Sequence, residues 1–292
     1  MTAIVMRAPA KINLTLDVTG VRADGYHTIR SVMQTVDLCD RITVSLREQS
    51  GIALSLSDPA LPTGRDNIAF RAAEVFMEQS GWQQGLYIEV EKHIPMQAGM
   101  AGGSADAAGV LAALRELSGA GISTEDLCAW GLRVGADVPF CIRGGCALAG
   151  GIGERLTPLP VLPECWIAVV KPAAGVSTAE AYRRVDQAAI SRRPDTAAMA
   201  SAVRKGDMAG VAREVCNVFE EGMALEEVAA IRTAMRAHSP LASQMTGSGS
   251  AVFALFEDEN RARDCARALS NLGDTFVCRP CPAGPVREEA IV

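Results

Sequence analysis

Aromatic residues make up only 4% of this 292-residue chain. A core must therefore be built mostly from Ala, Val, Leu and Ile. Positive charge is not in excess: the formal net charge is −6. That balance argues against a nucleic-acid or anionic-membrane binder, yet leaves room for a local phosphate site in one cleft. Long apolar runs are missing too, because Asp, Arg or Glu break the Ala-rich stretches before membrane-spanning length. The opening segment, Met1 to Arg7, lacks a basic stretch followed by a long apolar run. No secretory signal is expected, and a cytoplasmic location is.

Nine cysteines are present, an odd number without framework spacing. They read as reduced thiols packed as small apolar groups. Cys278 and Cys281 form a lone C-x-x-C. Zinc would need two more ligands, and no His or second C-x-x-C lies near. A redox pair is expected to open a helix, whereas a proline-rich tail follows. Packing is the favoured reading of both.

What the chain does have is ample material for a core: 49% hydrophobic and 21% charged residues. Its length suits one large domain or two ordinary ones. Residues 4–5 and 8–17 read as two strand segments, the second half-buried by the alternation of Ile12, Leu14 and Leu16 with Asn13, Thr15 and Asp17. Further strands are predicted at 32–36, 41–46 and 86–92. Helices are predicted at 66–80, where Ile68, Ala72, Val75 and Phe76 share a face, at 104–117 and at 124–134. Three prolines within Thr157–Pro163 predict a linker. Beyond it, strand 166–171 and helices at 178–185, 199–204, 208–215, 226–237 and 260–269 are expected, with a turn and a strand over 244–256. The order suggests an α+β fold in two domains, 1–157 and 164–292. No pattern is assigned to the tail after about Pro280, where disorder is expected.

The most informative stretch is Pro95, Met96, Gln97, Ala98, Gly99, Met100, Ala101, Gly102, Gly103, Ser104 and Ala105. Its glycines let the backbone approach a ligand, and the helix that follows adds a positive dipole end. Phosphate binding and a tight turn packing a helix on a sheet are both open readings. The run is not a Walker A motif, since no Gly-Lys-Ser/Thr follows, and it lacks G-x-G-x-x-G spacing.

Its form, P-x-x-x-G-x-x-G-G-S, resembles the ATP-binding motif of the GHMP kinase superfamily. Met245-Thr-Gly-Ser-Gly-Ser-Ala-Val-Phe253 is similar to that superfamily's third motif, and Ala8-Pro-Ala-Lys-Ile-Asn13 to its first. The run from Ala10 to His27 looks like the branch acting on a cytidine diphosphate-linked polyol, rather than mevalonate, homoserine or galactose kinases. Gly135-Ala-Asp-Val-Pro139, Val169-Val-Lys-Pro172 and Val176-Ser-Thr-Ala-Glu-Ala-Tyr182 fit the same branch. The resemblance spans about residues 8–256. It departs from the usual pattern at Met100-Ala101, where Leu-Gly is common, and at Ala105, where a second Ser is common. Ala101 costs energy at positive φ, and Ala105 leaves Ser104 as the loop's one hydroxyl.

The resemblance implies a two-domain GHMP kinase fold with the active site in the cleft between the domains. It implies ATP-dependent phosphorylation of the 2-hydroxyl of 4-diphosphocytidyl-2-C-methyl-D-erythritol, with Mg²⁺ as the metal and no ligand assigned to it. It makes Asp137 the base and Lys11 its partner. Asn13, on the same strand face as Lys11, is expected at the substrate hydroxyls or diphosphate. Tyr26, His27 and Tyr182 are implied as a cytosine pocket. Gly247, Ser248 and Gly249 are implied as support for the phosphate loop. Asn67 either holds the adenine or caps the helix it begins. Asp106 is a second carboxylate near the metal or a first-turn acid, and His93 and His238 read as surface residues. The expected partner is a small molecule, with no nucleic acid or membrane, for a monomer or homodimer. Competing readings are another GHMP kinase, a silent binding protein of the same fold, and a zinc or redox protein resting on Cys278 and Cys281.

Overall fold

The computed structural model describes residues 3–288. Its first half is an antiparallel ribbon covered by helices. β1 (Ala3–Val21) and β2 (His27–Arg47) form a long hairpin, followed by β3 (Ile52–Leu56), α1 (Ile68–Ser80) and β4 (Gly85–Glu91). Next come α2 (Gly102–Ser118), α3 (Thr124–Leu132), α4 (Val138–Arg143), β5 (Cys146–Gly150) and β6 (Arg155–Leu159). The second half runs β7 (Trp166–Lys171), α5 (Thr178–Gln187), α6 (Thr196–Lys205), α7 (Met208–Glu214), β8 (Cys216–Asn217) and α8 (Val218–Met223). It continues with α9 (Glu226–Arg236), β9 (Ala242–Met245), β10 (Val252–Phe256), α10 (Glu259–Ala268), β11 (Asp274–Cys278) and β12 (Val286–Arg287).

Two sheets result. The larger has the order β12-β1-β2-β4-β3, with β5 on the far half of β2, β6 beyond it, and β8 parallel to β1. The smaller is β11-β7-β10-β9. This is the α+β architecture that the order of patterns suggests.

α2 is the central helix. Ala105 through Leu114 are all buried, so the helix is enclosed around its whole circumference there, with Asp106 its one charged residue. The small side chains let it lie close on the sheet. At Gly109 a Cβ would sit 2.8 Å from Ile42 Cγ1, which explains a helix-interior glycine that otherwise costs about 1 kcal/mol against Ala.

Several expectations are corrected. The two strand segments over 4–17 are one strand, and so are 32–36 and 41–46. The register of the β1–β2 pair shifts between Pro9 and Lys11, Asn13 and Thr15, and Val18 and Gly20. Each shift is a bulge that breaks strict alternation. The linker expected at 157–163 begins as strand: β6 pairs with β5, and Pro158 is tolerated because β6 has β5 as its one partner. The described part of the tail, through Glu288, is tied to the sheet. Arg279 to Cys281 hydrogen-bond to residues 34–37 of β2, and β12 pairs with Met6 and Arg7 of β1. Nothing local announces this pairing, since the partners lie more than 240 residues away.

Candidate active site

A cleft of about 980 Å³ is lined by residues from both halves. Its floor is made where β1 bulges. There the Lys11 amide leaves the ladder and donates to Met100 O at 3.1 Å, and the Asn13 amide donates to Thr246 Oγ1 at 3.0 Å. The bulges thus turn one strand into a bracket for both Gly-rich loops.

The loop ahead of α2 is tightly wound. Gln97, Gly99 and Ala101 take φ of 49°, 72° and 61°. Ala101 therefore does adopt the left-handed conformation that its side chain disfavours by roughly 1–2 kcal/mol. It is the N-cap of α2, and no side chain caps that end. The first N–H groups of Gly102, Gly103 and Ser104 have no intrahelical acceptor. They form an anion site reinforced by the helix dipole.

The second Gly-Ser loop backs the first. Ala251 N donates to Ala98 O at 3.2 Å and Ser250 N to Gln97 O at 3.3 Å. A Cβ on Gly99 would lie 2.1 Å from Thr246 O, so only glycine allows this contact. Gly247, Ser248 and Gly249 line the cleft beside it. Asn217 holds the loop from below, its Nδ2 donating to Met245 O and Gly247 O at 2.8 Å each.

Lys11 is 4% exposed, and its Nζ donates to Asn13 Oδ1 and Gly99 O at 2.7 Å each. Burial lowers its pKa below the ordinary lysine value, and the Asp137 charge opposes that shift. Asp137 Oδ2 lies 3.9 Å from Nζ, at the outer limit of an ion pair. Asp137 occupies the N-cap position of α4 yet makes no capping hydrogen bond. Its carboxylate is held near Lys11 and left free to accept a proton. Asn13 is more committed than expected: Oδ1 also accepts from Gly247 N at 3.1 Å, and Nδ2 donates to Ser31 Oγ at 2.8 Å. Asn67 caps α1 through Ala69 N at 2.8 Å and donates to Pro62 O at 2.9 Å, while still lining the cleft.

At the other end, the His27 and Tyr182 rings stack with centroids 4.4 Å apart, and Tyr182 meets Phe219 edge-on at 4.9 Å. Burial pushes the Tyr182 hydroxyl up to about 12, with Asp137 adding to the shift. Tyr26 is 61% exposed.

Two contacts lie outside what the sequence led one to expect. His27 Nε2 lies 3.0 Å from both oxygens of Asp186. Asp186 stands one helical turn after Tyr182, so the same face of α5 supplies ring and carboxylate. The other contact is a buried triad. Lys92 Nζ bonds Asp40 and, at 2.7 Å, Asp106 Oδ2. Asp40 Oδ1 also accepts His93 N at 2.6 Å and Ile94 N at 2.8 Å. The triad ties the residues before the glycine loop to the first turns of α2 after it. Burial alone would lower the Lys92 pKa, but Asp106 and Asp40 outweigh it and raise it. Burial raises that of Asp106, whose Oδ1 has no hydrogen-bond partner. A lysine followed by the glycine loop, with an Asp in the following helix, was the available signal.

His93 is exposed and His238 half-buried. Cys278 is buried and Cys281 half-buried, and burial pushes the Cys278 thiol well up. Among the described residues no group of His, Cys, Asp or Glu is placed to hold a metal through three or more ligands. No helix among them is long and apolar enough to cross a membrane.

A phosphate loop on a helix N-terminus, a buried lysine and a free carboxylate across one cleft define a small-molecule kinase. The model of the GHMP kinases N terminal domain matches residues 67–145, and that of the GHMP kinases C terminal matches 199–275. The chain belongs to the GHMP kinase family. It is 41% identical over 274 residues to the 4-diphosphocytidyl-2-C-methyl-D-erythritol kinase of Alkaliphilus metalliredigens, covering 93% of this chain and 94% of that one. It is 42% identical to the kinase of the same name from Caldicellulosiruptor saccharolyticus, covering 91% and 92%. A crystal structure of 4-(cytidine 5'-diphospho)-2C-methyl-D-erythritol kinase superimposes with a TM-score of 0.79 at 36% identity, over 94% of this chain and 98% of that one. The homoserine kinase of Cytophaga hutchinsonii superimposes at 0.80 with 19% identity, over 99% and 98%, a likeness of fold.

Proposed function

We propose that the chain transfers the γ-phosphoryl group of ATP to the 2-hydroxyl of 4-diphosphocytidyl-2-C-methyl-D-erythritol, giving the 2-phosphate and ADP for isoprenoid precursor synthesis. The observation that carries this reading is the Lys11–Asp137 pair facing the open N-terminus of α2 in one cleft. Phosphoryl transfer asks the protein mainly to position the reactants and neutralise charge. Asp137 accepts the proton of the attacking hydroxyl. Lys11, fixed by Asn13 and Gly99, steadies Asp137 and the developing alkoxide. The N–H groups of Gly102, Gly103 and Ser104 hold phosphate oxygens. Transfer is direct and in line, with no covalent enzyme intermediate.

ATP use follows from the family. Both cationic side chains that line the cleft, Lys11 and Lys92, stand beside carboxylates. Charge on the triphosphate therefore needs another partner. The residues fit Mg²⁺: the Ser104 hydroxyl and the unpartnered, buried Asp106 Oδ1 are hard oxygen donors lining the cleft, and they would hold it. When bound, the ion neutralises charge on the β- and γ-phosphates.

The base pocket reads as Tyr182 and His27, with Tyr26 free to close over the base. A carboxylate only accepts hydrogen bonds, so the proton of His27 lies on Nε2 toward Asp186. In the neutral ring Nδ1 is left as an acceptor, which suits the amino group of cytosine.

Coupled ADP release with ATP and Mg²⁺ tests the function across 4-diphosphocytidyl-methylerythritol, mevalonate, homoserine and galactose. Turnover with the cytidine compound alone is expected. Turnover with another alcohol alone would keep the phosphate site and reject the base pocket. ATP binding without any turnover would favour a silent binding protein.

A further inference from the structure

A second cavity, of about 270 Å³, lies away from the cleft and shares no lining residue with it. Arg192, Arg213, Arg232 and Arg236 all line it, with the hydroxyl residues Ser239 and Ser243, and no carboxylate does. This local excess of positive charge stands in a chain whose net charge is −6. Four guanidinium groups around so small a space repel one another, and an anion between them removes the repulsion.

The arginines are only partly neutralised by the protein. Arg232 pairs with Glu220 through one terminal nitrogen, but its Nε is buried and has no acceptor. A buried donor left without an acceptor is costly, so an acceptor in the cavity would be stabilised there. The side chain of Arg236 has no hydrogen bond or ion pair among the described residues, although its position in the last turn of α9 suits the helix dipole. Arg192 is aimed by donating to Arg213 O at 3.1 Å, the carbonyl near the end of α7. Arg213 has only a loose contact with Glu214, at 3.5 Å. Three elements thus bring forks of N–H donors to one place, the loop before α6, α7 and α9, and β9 adds the Ser243 hydroxyl. Planar guanidinium forks match oxygen pairs of both carboxylate and phosphate, and phosphate has enough oxygens to meet several forks at once.

We infer that this cavity is an anion site for a small phosphate-bearing ligand, of the size of inorganic phosphate or diphosphate, separate from the ATP site. Glu220 links it to the chemistry: its other oxygen accepts Met245 N at 2.8 Å, immediately before the Gly-Ser loop that backs the phosphate loop.

The test is calorimetric titration of the full chain with inorganic diphosphate and, separately, inorganic phosphate. The cleft is first saturated with ADP in Mg²⁺-free buffer, so that neither the phosphate loop nor the metal takes up the probe. One further site per chain is expected. Arg236→Gln, which breaks no contact in the free protein, should weaken it at least tenfold while ADP-release activity without diphosphate stays unchanged. Binding of both probes would mean that one phosphate group is read, and binding of diphosphate alone that two are. No heat beyond the ADP-saturated cleft, or equal affinity in wild type and Arg236→Gln, would overturn the inference.

Discussion

The two ends of the cleft are built differently. At the phosphate end, the strand β1 and two Gly-rich loops lock together through Lys11, Asn13, Gly99 and Thr246, all but Gly99 and its loop edge deeply buried. At the base end, Tyr26 stands 61% exposed, and His27 is held by one carboxylate on a half-exposed helix. The lesson is a division of labour. The phosphate end is fixed in advance by buried hydrogen bonds, whereas the base end leaves an aromatic ring in solvent. Changes at the phosphate end should therefore cost stability and turnover together, and changes at the base end should cost mainly substrate affinity.

Among changes within the two ends, the largest effect is expected from Lys11→Ala. Removing a charge aimed at the reacting oxygens should lower kcat by roughly 10²–10³, with a smaller change in the KM for ATP. Its pH dependence has a defined sign. Burial lowers the Lys11 pKa, so the wild type should lose turnover as pH rises through a value below the ordinary 10.5, and Lys11→Ala should lack that limb. An unchanged kcat in Lys11→Ala would show that the phosphate end does not depend on this charge.

Gly99→Ala comes next. The new Cβ meets Thr246 O at 2.1 Å and sits at a φ of 72°. We expect a stability loss of about 2 kcal/mol or more by denaturant unfolding, together with a raised KM for ATP. Asp106→Asn should be milder. It weakens one arm of the Lys92 triad, and a loss of about 1–2 kcal/mol with a higher ATP KM is expected. The smallest effect belongs to the base end. Asp186→Asn should raise the KM for the cytidine substrate about threefold, as for one partly exposed hydrogen bond, and leave the KM for ATP unchanged. A shift in ATP affinity there would erase the distinction between the ends.

How much of this could be read from the residues follows the same division. The glycine loop ahead of a helix is legible as a local pattern, whereas the roles expected of Lys11 and Asp137 come from the resemblance to the GHMP kinases. The strand alternation at Ile12, Leu14 and Leu16 is legible too, but the bulges at Pro9–Lys11 and Asn13–Thr15 are not, because they answer to distant loops. The Asp40–Lys92–Asp106 triad escapes for a related reason: each partner lies on a different element, and only folding brings them together. Asp186 looks like any polar residue on an amphipathic helix. Asn13 is expected at the substrate, whereas both ends of its amide bond within the protein, to Lys11, Gly247 and Ser31.

Asp137 stands between the two ends and carries the chemical claim alone. The most direct test is the turnover of Asp137→Asn measured beside the dissociation constants of ATP and of the cytidine substrate. Loss of the proton acceptor should lower kcat by about 10²–10⁴ while both dissociation constants stay within roughly threefold. A kcat within tenfold of wild type would contradict the account, because the proton would then be leaving by another route.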